Sequence, residues 1–516
     1  MAISSIFNDV LGPVMRGPSS SHSAAACRIG LLLRQLMHEQ ITAIVVDYDP
    51  NGSLVTTHES QGTDMGLYGG LLGWEADDEQ MPHYRSALEK AGIETIVNYL
   101  DYEAPHPNYY RISISNQWIT HTLSAISTGG GMMEVLNIDG AEVSIFGDKY
   151  VVLIYGENLE LLRSMLPDWA QANLRLTASF IEISTLIEFK KEEIAELESL
   201  SGVSNVCQLK PVVPVLEGNT SDLPFRYCSQ MIELGNSEKL ELWELGLLYE
   251  SKRGNISQKK AWSKMENIAK IMKEGIKKGM EGTHYDDRIL PVQSTKYKLK
   301  DESGQLLNGG MLNKMIMYTT AMMEVKSAME VFVAAPTAGS CGVLPGTLFG
   351  AAEALDSDPD TIIKALFSAG IIGVFIAEHA TFSAEVAGCQ AETGAGGSMA
   401  AAALVTLIGG SLKQGVTAAS FALQNSLGII CDPIGNRVEA PCLGKNVMAA
   451  SNALSCANMA LSDYEALIPF DEVVMTMKEV GDAMTHELKC TGLGGLAATP
   501  TAKAIEKKLR EKAKYC

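Results

Sequence analysis

Thr393-Gly-Ala-Gly-Gly-Ser-Met-Ala-Ala-Ala-Ala-Leu-Val-Thr-Leu-Ile-Gly-Gly-Ser-Leu412 is an uncharged run of about the length of a membrane span, and its composition argues against one. A spanning helix needs about 20 predominantly apolar residues, and most of these are Gly, Ala, Ser and Thr. Side chains this small let helix backbones approach closely, so the run predicts a helix packed inside a bundle. A second uncharged run, Ala365–Ala377, is too short to span easily. The same Ala/Gly-rich character extends from Phe349 to Leu461, and Met311–Met329 reads as another core helix. Nearer the middle, Trp262, Met265, Ile268, Ile271, Met272 and Ile276 recur at three- and four-residue spacing, an amphipathic helix with lysines outside. Residues 230–516 therefore read as a mostly all-α domain.

Upstream the pattern differs. Asn219–Arg226 is a polar stretch closing with Leu-Pro-Phe-Arg, a linker signal. Before it, residues 146–215 read as a small α+β unit. Its expected strands are Val151–Tyr155, Leu174–Thr185 and Val203–Val213, and its expected helices Leu159–Ala172 and Glu192–Leu200. It resembles a ligand-sensing ACT domain loosely, without a recognisable effector turn in Tyr155-Gly-Glu-Asn-Leu. Residues 1–145 mix strands (Ile41–Asp49, Arg111–Ser115) with a helix over Gly66–Trp74, an α/β or α+β domain.

A chain of 516 residues with 46% apolar and 20% charged residues is globular, and at about 150 residues per domain it divides into several. Its formal charge of −20 repels nucleic acid and anionic membranes. The mixed-sign tail Lys503–Lys514 reads as a solvated helix face. No signal peptide is visible at Met1–Val10, which leads to the expectation of a soluble, cytoplasmic protein. There, ten cysteines are packing residues or metal ligands, not a disulfide framework.

Three constellations carry chemistry. In Gly17-Pro-Ser-Ser-Ser-His-Ser-Ala-Ala-Ala-Cys27, Ser19, Ser20, Ser21 and His22 precede a helix. Hydroxyls and free N–H groups there meet a positive helix end, suited to a substrate carboxylate. Ala335-Pro-Thr-Ala-Gly-Ser-Cys341 is a second place where backbone can approach a small anion, or simply a turn between helices. The third is late: Cys389 in Gly-Cys-Gln-Ala-Glu, then Cys431-Asp-Pro and Pro-Cys442. No Cys-x-x-Cys pair exists, so neither a zinc ribbon nor a ferredoxin-type cluster is indicated, and spacing alone leaves metal ligation open.

Taken together and in order, these segments resemble the iron–sulfur L-serine dehydratases, with the β and α parts fused. The resemblance runs from Gly-Pro-Ser-Ser-Ser-His through Gln61-Gly-Thr-Asp, His106-Pro-Asn and Gly129-Gly-Gly into the α part. That part ends with Thr491-Gly-Leu-Gly-Gly-Leu-Ala-Ala-Thr-Pro500. It implies a four-iron–four-sulfur cluster on Cys389, Cys431 and Cys442 with one iron open, which assists departure of the substrate β-hydroxyl as a Lewis acid. It implies dehydration of L-serine to pyruvate and ammonia, and a homodimer. Some family members set a terminal cysteine on the open iron, here Cys516. Substrate-binding roles fall on Ser19, Ser20, Ser21, Thr63, Asp64, Asn108, Thr337, Ala338, Gly339 and Ser340. Cys341, Cys456 and Cys490 are expected to be packing cysteines.

Two departures bear on catalysis. The family's usual histidine before Gly-Thr-Asp is Gln61 here, and an amide cannot accept the Cα proton. His22 and His58 are the candidate replacements. Lys326 stands where the family tends to carry Asn, and would either recognise a second acidic group on a substrate or face solvent. The first expectation is L-serine dehydration. The alternatives are a β-elimination lyase for another amino or hydroxy acid, and a non-catalytic cluster protein that senses iron or oxygen.

Overall fold

The computed structural model describes residues 3–216, 223–285 and 287–513. The first sheet has strands β1 (Ala43–Tyr48), β2 (Glu94–Tyr99), β3 (Tyr109–Ser115), β4 (Thr120–Gly129), β5 (Met132–Ile138) and β6 (Ala141–Ile145). They lie in the order β2-β1-β3-β4-β5-β6, with β1 and β2 parallel and every other pair antiparallel. Alternation sets one face: Ile44 pairs with Ile114, and Val46 with Ile112, which in turn pairs with Leu123. On this face packs the helix Ala25–Met37, with Ile29, Leu33 and Leu36 inward.

That helix in turn lies against Thr63–Leu71. The two approach backbone to backbone. A Cβ on Gly66 would stand 1.9 Å from the Ser23 carbonyl oxygen. The contact matters because Ser23 belongs to the turn that carries Ser19–His22.

The second sheet contains β7 (Tyr150–Gly156), β8 (Leu174–Leu176), β9 (Ile181–Thr185) and β10 (Val203–Leu209), in the antiparallel order β10-β7-β9-β8. With helices Leu159–Met165 and Lys191–Glu198 it forms a β-α-β-β-α-β unit. The helix expected over Leu159–Ala172 stops at Met165, because Pro167 cannot continue it, and resumes only as a short 3-10 turn. The single strand region expected over Leu174–Thr185 is a hairpin of β8 and β9. Of the expected linker, Asn219–Asp222 lie outside the described residues.

From Cys228 onward the chain is helical. The run quoted first becomes the helix Ala395–Leu407, sheathed by Val343–Leu355, Pro359–His379, Leu412–Gln424 and Cys442–Leu461, with Ala400–Ala403 wholly buried. It is shorter than the run because Gly409 turns the chain with φ +76°. Among the described residues, Pro359–His379 is the one helix long and apolar enough to cross a membrane. Most of it is buried inside the protein, as a core helix is.

Residues 3–15 pack away from the sheet that follows them in sequence. Ile6, Phe7, Val10 and Leu11 enter the helical core, and Val14–Met15 pairs with Phe332–Val333. Glu250, fully buried, accepts hydrogen bonds from Ser5 Oγ at 2.6 Å and the Ile6 N–H at 2.7 Å. The start of the chain thus binds the two halves of the molecule together, with the cysteines and the serine turn at their junction.

Candidate active site

Cys389 follows Gly388, whose φ of +71° turns the chain out of the short helix Ala384–Ala387 and into a π-type turn, Gln390–Gly394. Cys431 lies on the loop after Leu412–Gln424, and Cys442 opens the helix Cys442–Leu461. All three are buried and free of disulfides. Cys431 is in hydrogen-bonding contact with Cys389. With Glu392, Cys389 and Cys431 form a group whose ligand atoms lie within 4.8 Å of one another, close enough to share a metal ion. Cys431 and Cys442 line a small enclosed cavity together with Ser19, Gln61, Gly339, Glu385, Glu392 and Cys490.

The serine turn reaches this cavity from the other half of the molecule. Ser20 Oγ accepts the Ala338 N–H at 3.3 Å, joining the turn to Thr337–Ser340 across the interface. Within the second turn, Thr337 Oγ1 donates to Glu392 Oε1 at 2.7 Å. Glycine at 339 leaves room for that side chain, since a Cβ there would meet the same carboxylate at 2.5 Å and Glu392 would have to shift.

His22 is fully buried, and its hydrogen bonds define its tautomer. Thr57 Oγ1 donates to the Ser53 carbonyl, so it accepts from His22 Nε2–H at 2.9 Å. Nδ1 is then the basic nitrogen, facing Ser19 Oγ at 2.9 Å and a Glu385 carboxylate oxygen at 3.5 Å. Burial pushes the imidazole pKa down, against the pull of Glu385, so the ring is neutral at pH 7. Burial has the opposite effect on Glu392, whose pKa is pushed up to about 7.

His58 is engaged at both nitrogens, Nδ1 by Asp64 at 2.9 Å and Nε2 by the Tyr99 hydroxyl at 2.8 Å. Neither His58 nor Asp64 lines the cavity. Asn108 is fully buried with both amide atoms unpartnered. Groups of this kind await a polar ligand or water. Lys326 does not face solvent. It is fully buried, donates to the Val438 carbonyl behind the Cys442 loop, and is absent from the cavity wall. Desolvation lowers its pKa, against the attraction of Cys341 and Cys442. Cys516 lies outside the described residues.

Four residues to which the sequence reading gave no functional role belong here. Glu392 was legible as part of Gly-Cys-Gln-Ala-Glu. Glu385 and Lys445 offered no signal. Lys445 ion-pairs with Asp432 at 2.6 Å and stands 3.8 Å from Cys389 Sγ. Burial lowers its pKa, but Cys389 and Asp432 outweigh that and raise it. Cys490, expected to be a packing cysteine, instead lines the cavity and contacts Cys431. Its signal was its position directly before the Thr491–Pro500 motif.

A larger cleft lined by Arg28, Glu75 and Lys264 holds one cysteine, Cys27, and no histidine. The thiol-lined cavity has the chemistry of a metal centre. Several buried thiols converge there, two lysines offset thiolate charge, and no disulfide competes among the described residues. The donor set is soft and cysteine-rich, as iron–sulfur centres require.

Comparison with known proteins bears on the same residues. The family model described as serine dehydratase alpha chain matches residues 237–497. A probable L-serine dehydratase alpha chain of Bacillus subtilis is 36% identical over 285 residues, 55% of this chain and 95% of that protein. The L-serine dehydratase alpha chain of Peptoniphilus asaccharolyticus is 35% identical over 288 residues, covering 96% of its length. The single-chain L-serine dehydratase of Streptomyces coelicolor is similar almost end to end, 27% identical over 498 residues, 93% of this chain and 96% of that one.

Proposed function

We propose that this chain, which belongs to the serine dehydratase family with its β and α parts fused, is an L-serine ammonia-lyase. It eliminates water from L-serine and releases pyruvate and ammonia. One observation carries the reading: the Ser19–His22 turn and the Thr337–Ser340 turn meet Cys431 and Cys442 around one enclosed cavity, with Cys389 in contact with Cys431 beside it. The Streptomyces relative, similar over both halves, supports the same substrate.

Cys389, Cys431 and Cys442 would hold a four-iron–four-sulfur cluster. Bound there, the cluster supplies a Lewis-acidic iron that makes hydroxide a better leaving group. The protein supplies the rest. The substrate carboxylate takes the hydroxyls and N–H groups of Ser19–Ser21 and Thr337–Ser340, and Asn108, buried with its amide unpartnered, and Thr63 are further substrate contacts in this reading. His22 Nδ1 is the base: its lone pair faces Ser19 Oγ at the cavity wall, and Thr57 orients the ring. Glu392, with a pKa of about 7, is protonated in about half of the molecules at neutral pH, and that form donates its proton to the departing oxygen. Enclosure excludes bulk water, which strengthens each of these polar interactions. Lys326 donates to the Val438 carbonyl and does not itself line the cavity, which supports a substrate without a second acidic group.

The remaining expectations stand as proposals on the same footing: a homodimer, a cytoplasmic setting suited to the nine free cysteines among the described residues, and a β7–β10 unit that is loosely ACT-like and serves as a structural spacer. The deciding experiment is pyruvate release from L-serine by protein reconstituted with iron and sulfide without oxygen. Rapid, air-sensitive release supports the reading. A fully loaded protein that forms no pyruvate refutes the substrate and points to elimination from a different β-substituted acid.

A further inference from the structure

We propose that Cys490 is a fourth sulfur ligand of the metal centre, closing the coordination position that Cys389, Cys431 and Cys442 leave open. The inference rests on the cluster reading of the site given above.

Cys490 is 4% exposed and lines the cavity beside Cys431 and Cys442. Its thiol is in hydrogen-bonding contact with Cys431. The surroundings are polar and functional: besides the cysteines, the cavity wall carries Gln61, Glu385 and Glu392. Other buried cysteines are placed differently. Cys341 faces Met323 Sδ at 3.9 Å, and Cys456 faces Asn425 and Asn452.

The backbone holds Cys490 where a ligand is needed. Its N–H donates to the Ala384 carbonyl at 3.3 Å, on the segment that leads into Cys389. Two residues earlier, the Leu488 carbonyl accepts the Cys431 N–H at 2.9 Å. Beyond it, the Leu496 N–H donates to Asp432 Oδ2 at 2.8 Å, and a Cβ on Gly495 would come within 2.6 Å of Asp432 Cβ. Residues 486–498 are therefore laid directly on both cysteine-bearing segments, with Cys490 between them. The Gly-Leu-Gly-Gly motif makes that approach sterically available.

Ligation releases the thiol proton to solvent. A centre closed in this way retains its fourth iron until substrate displaces the sulfur. Gln61 gives the displaced thiolate a partner, since its Nε2–H already donates to Cys490 Sγ at 3.6 Å. The amide that replaces the family's histidine acquires a role that suits an amide.

The test compares wild type, Cys490→Ala and Cys516→Ala, each reconstituted anaerobically and assayed for iron and sulfide. Each loaded protein is then oxidised with ferricyanide, and the three-iron cluster that appears when a labile iron is lost is quantified by electron paramagnetic resonance. Wild type and Cys516→Ala are expected to resist conversion, and Cys490→Ala to convert several-fold more. Equal conversion in wild type and Cys490→Ala overturns the proposal, as does an increase confined to Cys516→Ala, which would make the terminal cysteine the closing ligand. Should Cys490→Ala fail to fold, wild type suffices: iodoacetamide labelling mapped by mass spectrometry should spare Cys490 in loaded protein and reach it in the metal-free form. Equal labelling in both forms overturns the proposal while leaving the cluster intact. A wild-type chain that takes up no iron and sulfide overturns the cluster reading and this one with it.

Discussion

Asp9 accepts the Ser5 N–H at 2.8 Å inside the N-terminal turn, and burial pushes its pKa up to about 6 from 3.8. A raised carboxyl pKa means that folding favours the protonated form. The stability this lends is fully present below pH 3.8 and is lost as pH rises through 6. The side chain keeps an edge in solvent, so the loss should be on the order of 1–2 kcal/mol. Urea unfolding at pH 5 and pH 8 should show that loss in wild type and little of it in Asp9→Asn. At the catalytic centre, His22→Asn should lower kcat by roughly 10²–10⁴-fold, the range for removal of a general base, with KM changed far less. Steady-state kinetics on the loaded enzyme checks this. A variant that retained its kcat would transfer the base to another group. His22 was legible in sequence because it sits among three serines at a helix start. The separation of His22 from His58 was not, since both are histidines in polar loops and only Asp64 and Tyr99 reveal that His58 is fully engaged.

The pair of helices Ala25–Met37 and Thr63–Leu71 is the element on which the serine turn depends. Gly66→Ala would drive a methyl group against the Ser23 carbonyl and force the helices apart. The expected cost is roughly 1–3 kcal/mol, as for overpacking elsewhere, with a loss of activity in excess of the loss of fold because Ser19–His22 moves with Ser23. Denaturation midpoints and kcat/KM measured on the same preparation separate the two. The helix at Thr63–Leu71 was foreseen only three residues out of register, over Gly66–Trp74, because its glycines carry no apolar period to mark the start. The amphipathic helix containing Trp262–Ile276 was plain, since a stripe against solvent is visible in sequence. Buried helices such as Ala395–Leu407 are apolar on every side, so their limits came from turns like Gly409 and not from periodicity.

On the scale of the whole molecule, residues 3–15 join the first sheet's half to the helical half. Ile6, Phe7, Val10 and Leu11 are almost fully buried there, each worth roughly 1.5–3 kcal/mol. Deleting residues 1–15 should therefore cost roughly 6–12 kcal/mol, comparable to the whole stability of an ordinary domain, giving a chain that binds a hydrophobic dye and aggregates. A soluble, cooperative truncated protein would show that the two halves hold together without the segment. The sequence by itself determined the division between a sheet-bearing front and a helical back. It also determined the serine turn, the Pro-Thr-Ala-Gly-Ser turn and the three cysteines, because local composition and short motifs are properties of neighbouring residues. Only the tertiary structure decided that residues 3–15 belong to the helical core and that Lys326 faces the back of the Cys442 loop. Likewise it alone placed Glu385, Glu392 and Cys490 around one cavity, with His22 behind Ser19 and Glu385 at its wall. Those are contacts between residues up to several hundred positions apart, set by which backbones can approach and which buried polar groups find partners. No window along the chain contains that information.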